Sequence, residues 1–141
     1  MATGTSLSSY LEDQILNWIK GTAFVAAPAN LYAALYTASP TDAAASGTEV
    51  SGNAYARVAI ASTGWSVIAA GAAGTGDSIT NAGIITFPTP TAAWGTVTAM
   101  ALYDALTVGN EIFWAVLTAS KVINSGDTVS FAVGAISIAL D

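Results

Sequence analysis

Residues 84–140 are a succession of short runs rich in β-branched and aromatic side chains, cut at intervals by Gly, Asn, Asp and Pro. The runs are 84–87, 96–103, 112–117, 128–133 and 135–140; the cuts include Pro88, Gly109-Asn110 and Asn124-Ser125-Gly126-Asp127. This punctuation leaves little room for helices and sets the period at two. Val129, Phe131 and Val133 fall on one face of a strand, as do Ile136, Ile138 and Leu140 on the next. The pattern predicts an all-β fold, a two-sheet antiparallel β-sandwich with jelly-roll-like connections and about eight to ten strands.

The first third of the chain adds one helix. Ser9-Tyr10-Leu11-Glu12 fits a capping box, and Leu11, Ile15, Trp18 and Ile19 then share one helical face. Glu12 and Asp13 stand in the first turn, Lys20 in the last, and Gly21 supplies the stop. A helix over residues 9–20 is expected, preceded by a flexible N-terminal arm over 1–8; residues 9–141 form a single domain. The expected role of the helix is to close one edge or open end of the sandwich, with Trp18 as a core anchor. The alternative is docking onto a partner subunit.

Residues 31–37 read as a strand, with Leu31, Ala33, Leu35 and Thr37 opposite Tyr32, Ala34 and Tyr36. The small-residue stretch 43–53 reads as an exposed arm, 55–60 and 65–68 as further strands, and 69–77 as a hairpin connection. The glycines of that connection do not give the G-x-G-x-x-G spacing of a phosphate cradle.

Composition narrows the function. The chain has no cysteine and no histidine, which removes disulfides, thiolate metal sites and imidazole-based catalysis. Lys20, Arg57 and Lys121 are its three cations against nine acidic residues, too few to neutralise phosphates, so neither nucleic acid nor an anionic membrane is an expected partner. Charged residues make up 9%, against ~25% in ordinary soluble domains. A surface of Ala, Thr, Ser and Gly costs little to desolvate and suits a protein whose exterior meets neighbours.

The candidate sites are few. Arg57, the single arginine, sits among apolar strand residues and requires an acidic partner; Glu49 or Asp104 is expected to form an ion pair that fixes strand register. Asp77, Asp104 and Asp127 lack calcium-loop spacing and read as strand-end residues. Trp65, Trp94 and Trp114, with the five tyrosines, read first as core and second as a sugar-binding platform. No acid pair shares a strand face in the manner of a glycosidase. The expectation is a non-enzymatic protein with no cofactor and no metal.

Two longer blocks are more specific. Leu31-Tyr32-Ala33-Ala34-Leu35-Tyr36-Thr37-Ala38-Ser39-Pro40-Thr41-Asp42 and Gly47-Thr48-Glu49-Val50-Ser51-Gly52-Asn53-Ala54-Tyr55-Ala56-Arg57 resemble a family of small tailed-phage virion proteins. Ile85-Thr86-Phe87-Pro88, Trp94-Gly95-Thr96-Val97, Leu102-Tyr103-Asp104 and Asn124-Ser125-Gly126-Asp127 extend the resemblance to nearly the whole chain from Leu31. Its members carry the labels tail fibre protein or head decoration (cement) protein. The resemblance implies a homotrimer on the outer capsid surface of the virion, bound to the major capsid protein. The second expectation is a tail-fibre or tailspike tip that reads host surface glycans. Candidate partner contacts are Met1, Ala2, Thr3 and Ser6 in the arm and Gly47, Thr48 and Val50 in the 43–53 loop.

Overall fold

In the computed structural model, residues 2–4, 6–43, 46–71 and 76–140 are described. The elements in order are β1 (Ala2–Gly4), β2 (Ser6–Leu7), α1 (Ser9–Ile19), β3 (Asn30–Ala38), β4 (Thr48–Glu49), β5 (Val58–Ala61), β6 (Asp77–Thr80), β7 (Ile85–Thr86), β8 (Gly95–Tyr103), β9 (Glu111–Ile123), β10 (Ser130–Phe131) and β11 (Ile136–Leu140). A single turn of 3-10 helix, Ser62–Gly64, follows β5. The fold is mostly β with one N-terminal helix.

The centre is β3–β8–β9, antiparallel throughout. Its registers explain the burial. Ala33 lies opposite Leu102 and Leu35 opposite Met100, and on β9 Phe113 and Ala115 continue the same rows. These side chains pack with Val97, Ile123, Ile136, Phe131 and Phe87 into the larger core. The other face sets Tyr32 beside Tyr103, Ala34 beside Ala101 and Tyr36 beside Ala99, with Trp114 packed against them. Alternating tyrosine with alanine interdigitates bulk with space, so β3 is buried on both faces rather than one.

The sheet runs in the order β4-β3-β8-β9-β1-β11-β6, with β5 also on β3 and β2 also on β9; β7 and β10 form a small second sheet. The pairings are antiparallel except for β1 with β11, which is parallel at Ala2–Ile136, Thr3–Ser137 and Gly4–Ile138. The expected free arm over 1–8 is therefore corrected for its described residues. Ala2–Gly4 joins β9 to β11, and Ser6–Leu7 pairs with Trp114 and Phe113. Backbone pairing on both sides of β1 offsets the entropy that would keep a terminus mobile.

Two local departures have physical causes. The helix is capped by Ser8, not Ser9: Ser8 Oγ accepts from Leu11 N–H at 3.3 Å and also donates to the carbonyl of Glu111, a tertiary bond that decides between two adjacent serines. The 43–53 stretch is not simply an exposed arm, because β4 lies within it and Val50 is buried in the main core.

Buried Asn81 fastens the β6–β11 end. Its amide donates to the carbonyls of Gly83 at 2.7 Å and Ala132 at 2.8 Å, and its Oδ1 accepts from Ile136 N–H at 2.8 Å. A fully satisfied amide with no exposure specifies one packing of the 81–84 and 132–136 turns.

Candidate functional site

Arg57 leaves the loop before β5 and reaches under the β8–β9 connection. Its Nε and Nη2 donate to Glu49 Oε1 and Oε2, both at 2.8 Å, in the bidentate geometry only a guanidinium provides. Nη1 donates to the carbonyls of Ala105 at 3.0 Å and Val108 at 2.8 Å. The guanidinium lies 3.7 Å from the centroid of the Tyr103 ring. Tyr55 Oη donates to Glu49 Oε1 at 2.9 Å and accepts from Leu35 N–H at 2.9 Å. One arginine thus ties β4, β8 and the 104–110 connection together.

Beneath it runs a chain of buried hydroxyls. Tyr36 and Tyr103 share a hydrogen bond of 2.5 Å, and Tyr103 Oη donates to Glu111 Oε2 at 3.1 Å. Glu111 is 2% exposed, and its Oε1 has no hydrogen-bond partner among the described residues. Burial pushes its carboxyl up to about 7; the Tyr103 bond and Arg57 pull the other way, and nearby Asp42 adds to the rise. Burial likewise raises both tyrosines. The network ends in a proton-holding acid that is itself buried, while Tyr36 and Tyr103, with Glu49 and Arg57, line a cavity of about 290 Å³.

The outer surface is different in kind. Helix α1 has no fully buried residue: Leu16, Trp18 and Ile19 are exposed, Trp18 by 60%. Trp18 stands 6.4 Å from Phe24 in a tilted ring contact. After the helix, Gly21 at φ +90° turns the chain into an extended strap, and residues 22–29 (Thr-Ala-Phe-Val-Ala-Ala-Pro-Ala) are all exposed. Between strap, helix and sheet lies an apolar groove of about 760 Å³, with Leu31, Ile60, Trp65 and Ile79 among its lining residues. The expected core anchor Trp18 is therefore a surface residue. The stripe divides: Leu11 and Ile15 are half-buried, while Trp18 and Ile19 face solvent.

The sequence-selected residues divide clearly. Arg57 meets Glu49 but not Asp104, whose carboxylate instead accepts from Asn110 N–H at 2.7 Å and Asn110 Nδ2 at 2.8 Å, closing the β8–β9 loop. Gly47 and Thr48 are exposed, but Gly47 has a steric duty: a Cβ there would stand 2.6 Å from the Ala38 carbonyl, and its φ is +75°. Val50 is buried and not available to a partner. Ala2, Thr3 and Ser6 are strand residues; Met1 lies outside the described residues.

Trp94 is buried and donates to Asn53 O at 3.0 Å, and Trp114 donates to Asp42 Oδ1 at 2.9 Å, so the three tryptophans do not make one exposed platform. Among the described residues no acid cluster is placed to hold a metal, and no helix is long and apolar enough to cross a membrane. Sequence reasoning missed the buried role of Glu111, which reads only as the first residue of the strand after the Gly109-Asn110 turn, and missed the strap. The strap's signal was present: an uncharged apolar segment between Gly21 and Pro28, too short for a helix of its own.

A protein-family model described as Podophage GP4 fiber I protein gp80 matches residues 6–139. No curated protein matches the chain.

Proposed function

The chain belongs to the podophage GP4 fiber I protein gp80 family, and from that membership we propose that it is a non-catalytic subunit of a virion fibre that acts by self-association, as a homotrimer. Membership makes it a structural component of a podophage virion, described as a fibre protein. The expectation of a cement protein bound to the major capsid protein on the outer capsid surface gives way to the fibre, because the family description names a fibre and no observation of the fold favours the shell. Recognition of host surface glycans is not part of the proposal, since the tryptophans it relied on are dispersed.

The observation that carries the self-association is the apolar surface of Leu16, Trp18, Ile19, Phe24 and Val25 on a chain with only 9% charged residues. Exposed apolar side chains grouped on a helix and the strap that follows it are the kind of surface that marks an interaction site. Burying it against other copies stabilises an assembly by the hydrophobic effect without desolvating charge.

The test of location is immunogold labelling of purified virions combined with the copy number of the chain per particle. Gold on fibres and a ratio of a few per cent to the major capsid protein support the proposal. Gold spread over the head, with a ratio near one, would overturn it.

A further inference from the structure

Two segments that contribute residues to the lining of the apolar groove have the same unmet need. The strap is one. From Ala23 to Ala29 it makes no backbone hydrogen bond among the described residues, and its side chains, Phe24 and Val25 included, stand in solvent. The other is the outermost edge of the sheet, residues 65–69. This segment is held to β6 by bridges at Trp65–Asn81 and Ala69–Ser78, with Ser66 N–H donating to Thr80 O at 2.8 Å. Between the bridges, the N–H groups of Val67 and Ile68 have no bond among the described residues, and their side chains are 87% and 71% exposed.

An extended edge with unpaired backbone is a template for another strand. Proteins that must stay apart protect such edges with charge, proline or a covering loop. Residues 65–71 carry no charged residue and no proline, and neighbouring residues Val67 and Ile68 expose side chains on both faces. The strap carries no charge either, and its proline, Pro28, lies at its far end. Within one chain no backbone hydrogen bond joins the strap to the edge among the described residues.

We infer that the strap of one copy adds as a β-strand to the Val67–Ile68 edge of the next copy, a pairing that rests on the self-association proposed above. Backbone bonds supply the register, and Phe24 and Val25 supply apolar contact over the groove floor. The contact joins two different patches, so it is directional and repeats from copy to copy. Such head-to-tail contacts close into rings when the rotation permits, and a ring of three is the trimer proposed above.

The absence of native cysteine makes the pairing directly readable. Single variants Val25→Cys and Val67→Cys are prepared separately, mixed, and treated with a mild oxidant. The pair Val25→Cys with Val133→Cys, exposed elsewhere, serves as the control. The expected result is a mixed disulfide between Val25→Cys and Val67→Cys, at least tenfold above the control pair. A wild-type assembly that persists with no mixed disulfide, or with disulfides only between like variants, overturns the strap–edge pairing and leaves self-association standing. A wild-type chain that stays monomeric at every concentration overturns both.

Discussion

Arg57 holds Glu49 through two hydrogen bonds of 2.8 Å while its guanidinium lies 3.7 Å above the centre of the Tyr103 ring. The pair is the hinge between the sheet centre and its outer loops. Side-chain exposure is 8% for Arg57 and 26% for Glu49, so the bridge is closer to a buried pair than to a surface one. Replacing Arg57 with Ala leaves Glu49 without its counter-ion and two loop carbonyls without donors. A loss of about 2–4 kcal/mol is expected, discounted from the fully buried range for the exposure of Glu49. Arg57→Lys recovers less than half of it, since an ammonium cannot make the fork. Urea midpoints of the three proteins check this.

Glu111 gives the fold a pH dependence with a definite sign. Its folded value of about 7 lies above the ordinary 4.5, so the neutral acid is the form the fold favours. Its contribution is fully present below pH ~4.5, declines as pH rises, and is lost above pH ~7, a span of roughly 3 kcal/mol at most. Glu111→Gln keeps a group that accepts from Tyr103 and removes the titration. The variant should match the wild type at pH 4 and be the more stable protein at pH 8. Equal pH slopes for the two proteins between pH 4.5 and 7 would contradict the assignment.

Val108 is a β-branched residue at φ +57°, in the left-handed region, with its side chain 85% exposed and its carbonyl accepting from Arg57. The conformation carries strain of about 1–2 kcal/mol that the side chain does not repay by packing. Val108→Gly should raise stability by about 1 kcal/mol, after allowance for the greater freedom of glycine in the unfolded chain. A lower melting temperature would contradict the assignment of strain to Val108.

The β-runs of 84–140 and the strand at 31–37 were legible because alternation and turn residues agree with the tertiary fold. The helix was legible too, but its environment was not. A stripe of Leu11, Ile15, Trp18 and Ile19 says that something apolar lies against it, not whether that is the same chain. The cap shifted from Ser9 to Ser8 because a bond to the Glu111 carbonyl, 103 residues away, decided it. Glu111 was invisible for a similar reason: its burial comes from Tyr36, Tyr103 and Ser8, which no local pattern brings together. Of the ion pair, the Glu49 partner follows from the need of a buried arginine for a nearby carboxylate. The choice of Glu49 over Asp104 required the loop geometry.

Asn81 tests whether the β6–β11 end is specified by one amide. Asn81→Ala removes three hydrogen bonds at a site without exposure and leaves Ile136 N–H with no acceptor. A loss of about 2–3 kcal/mol is expected. Asn81→Asp should be at least as harmful, because it places a charge among carbonyls. Thermal melts of both variants give the answer.

The exposed apolar surface of the helix and strap is proposed as an interface between copies, and the native mass of the purified chain is the measurement that decides it. A species of three times the 14.1 kDa chain is expected, reduced to single chains by Trp18→Glu at unchanged circular dichroism. A wild-type protein that remains at the mass of one chain up to high micromolar concentration, with Trp18 in solvent, would contradict it.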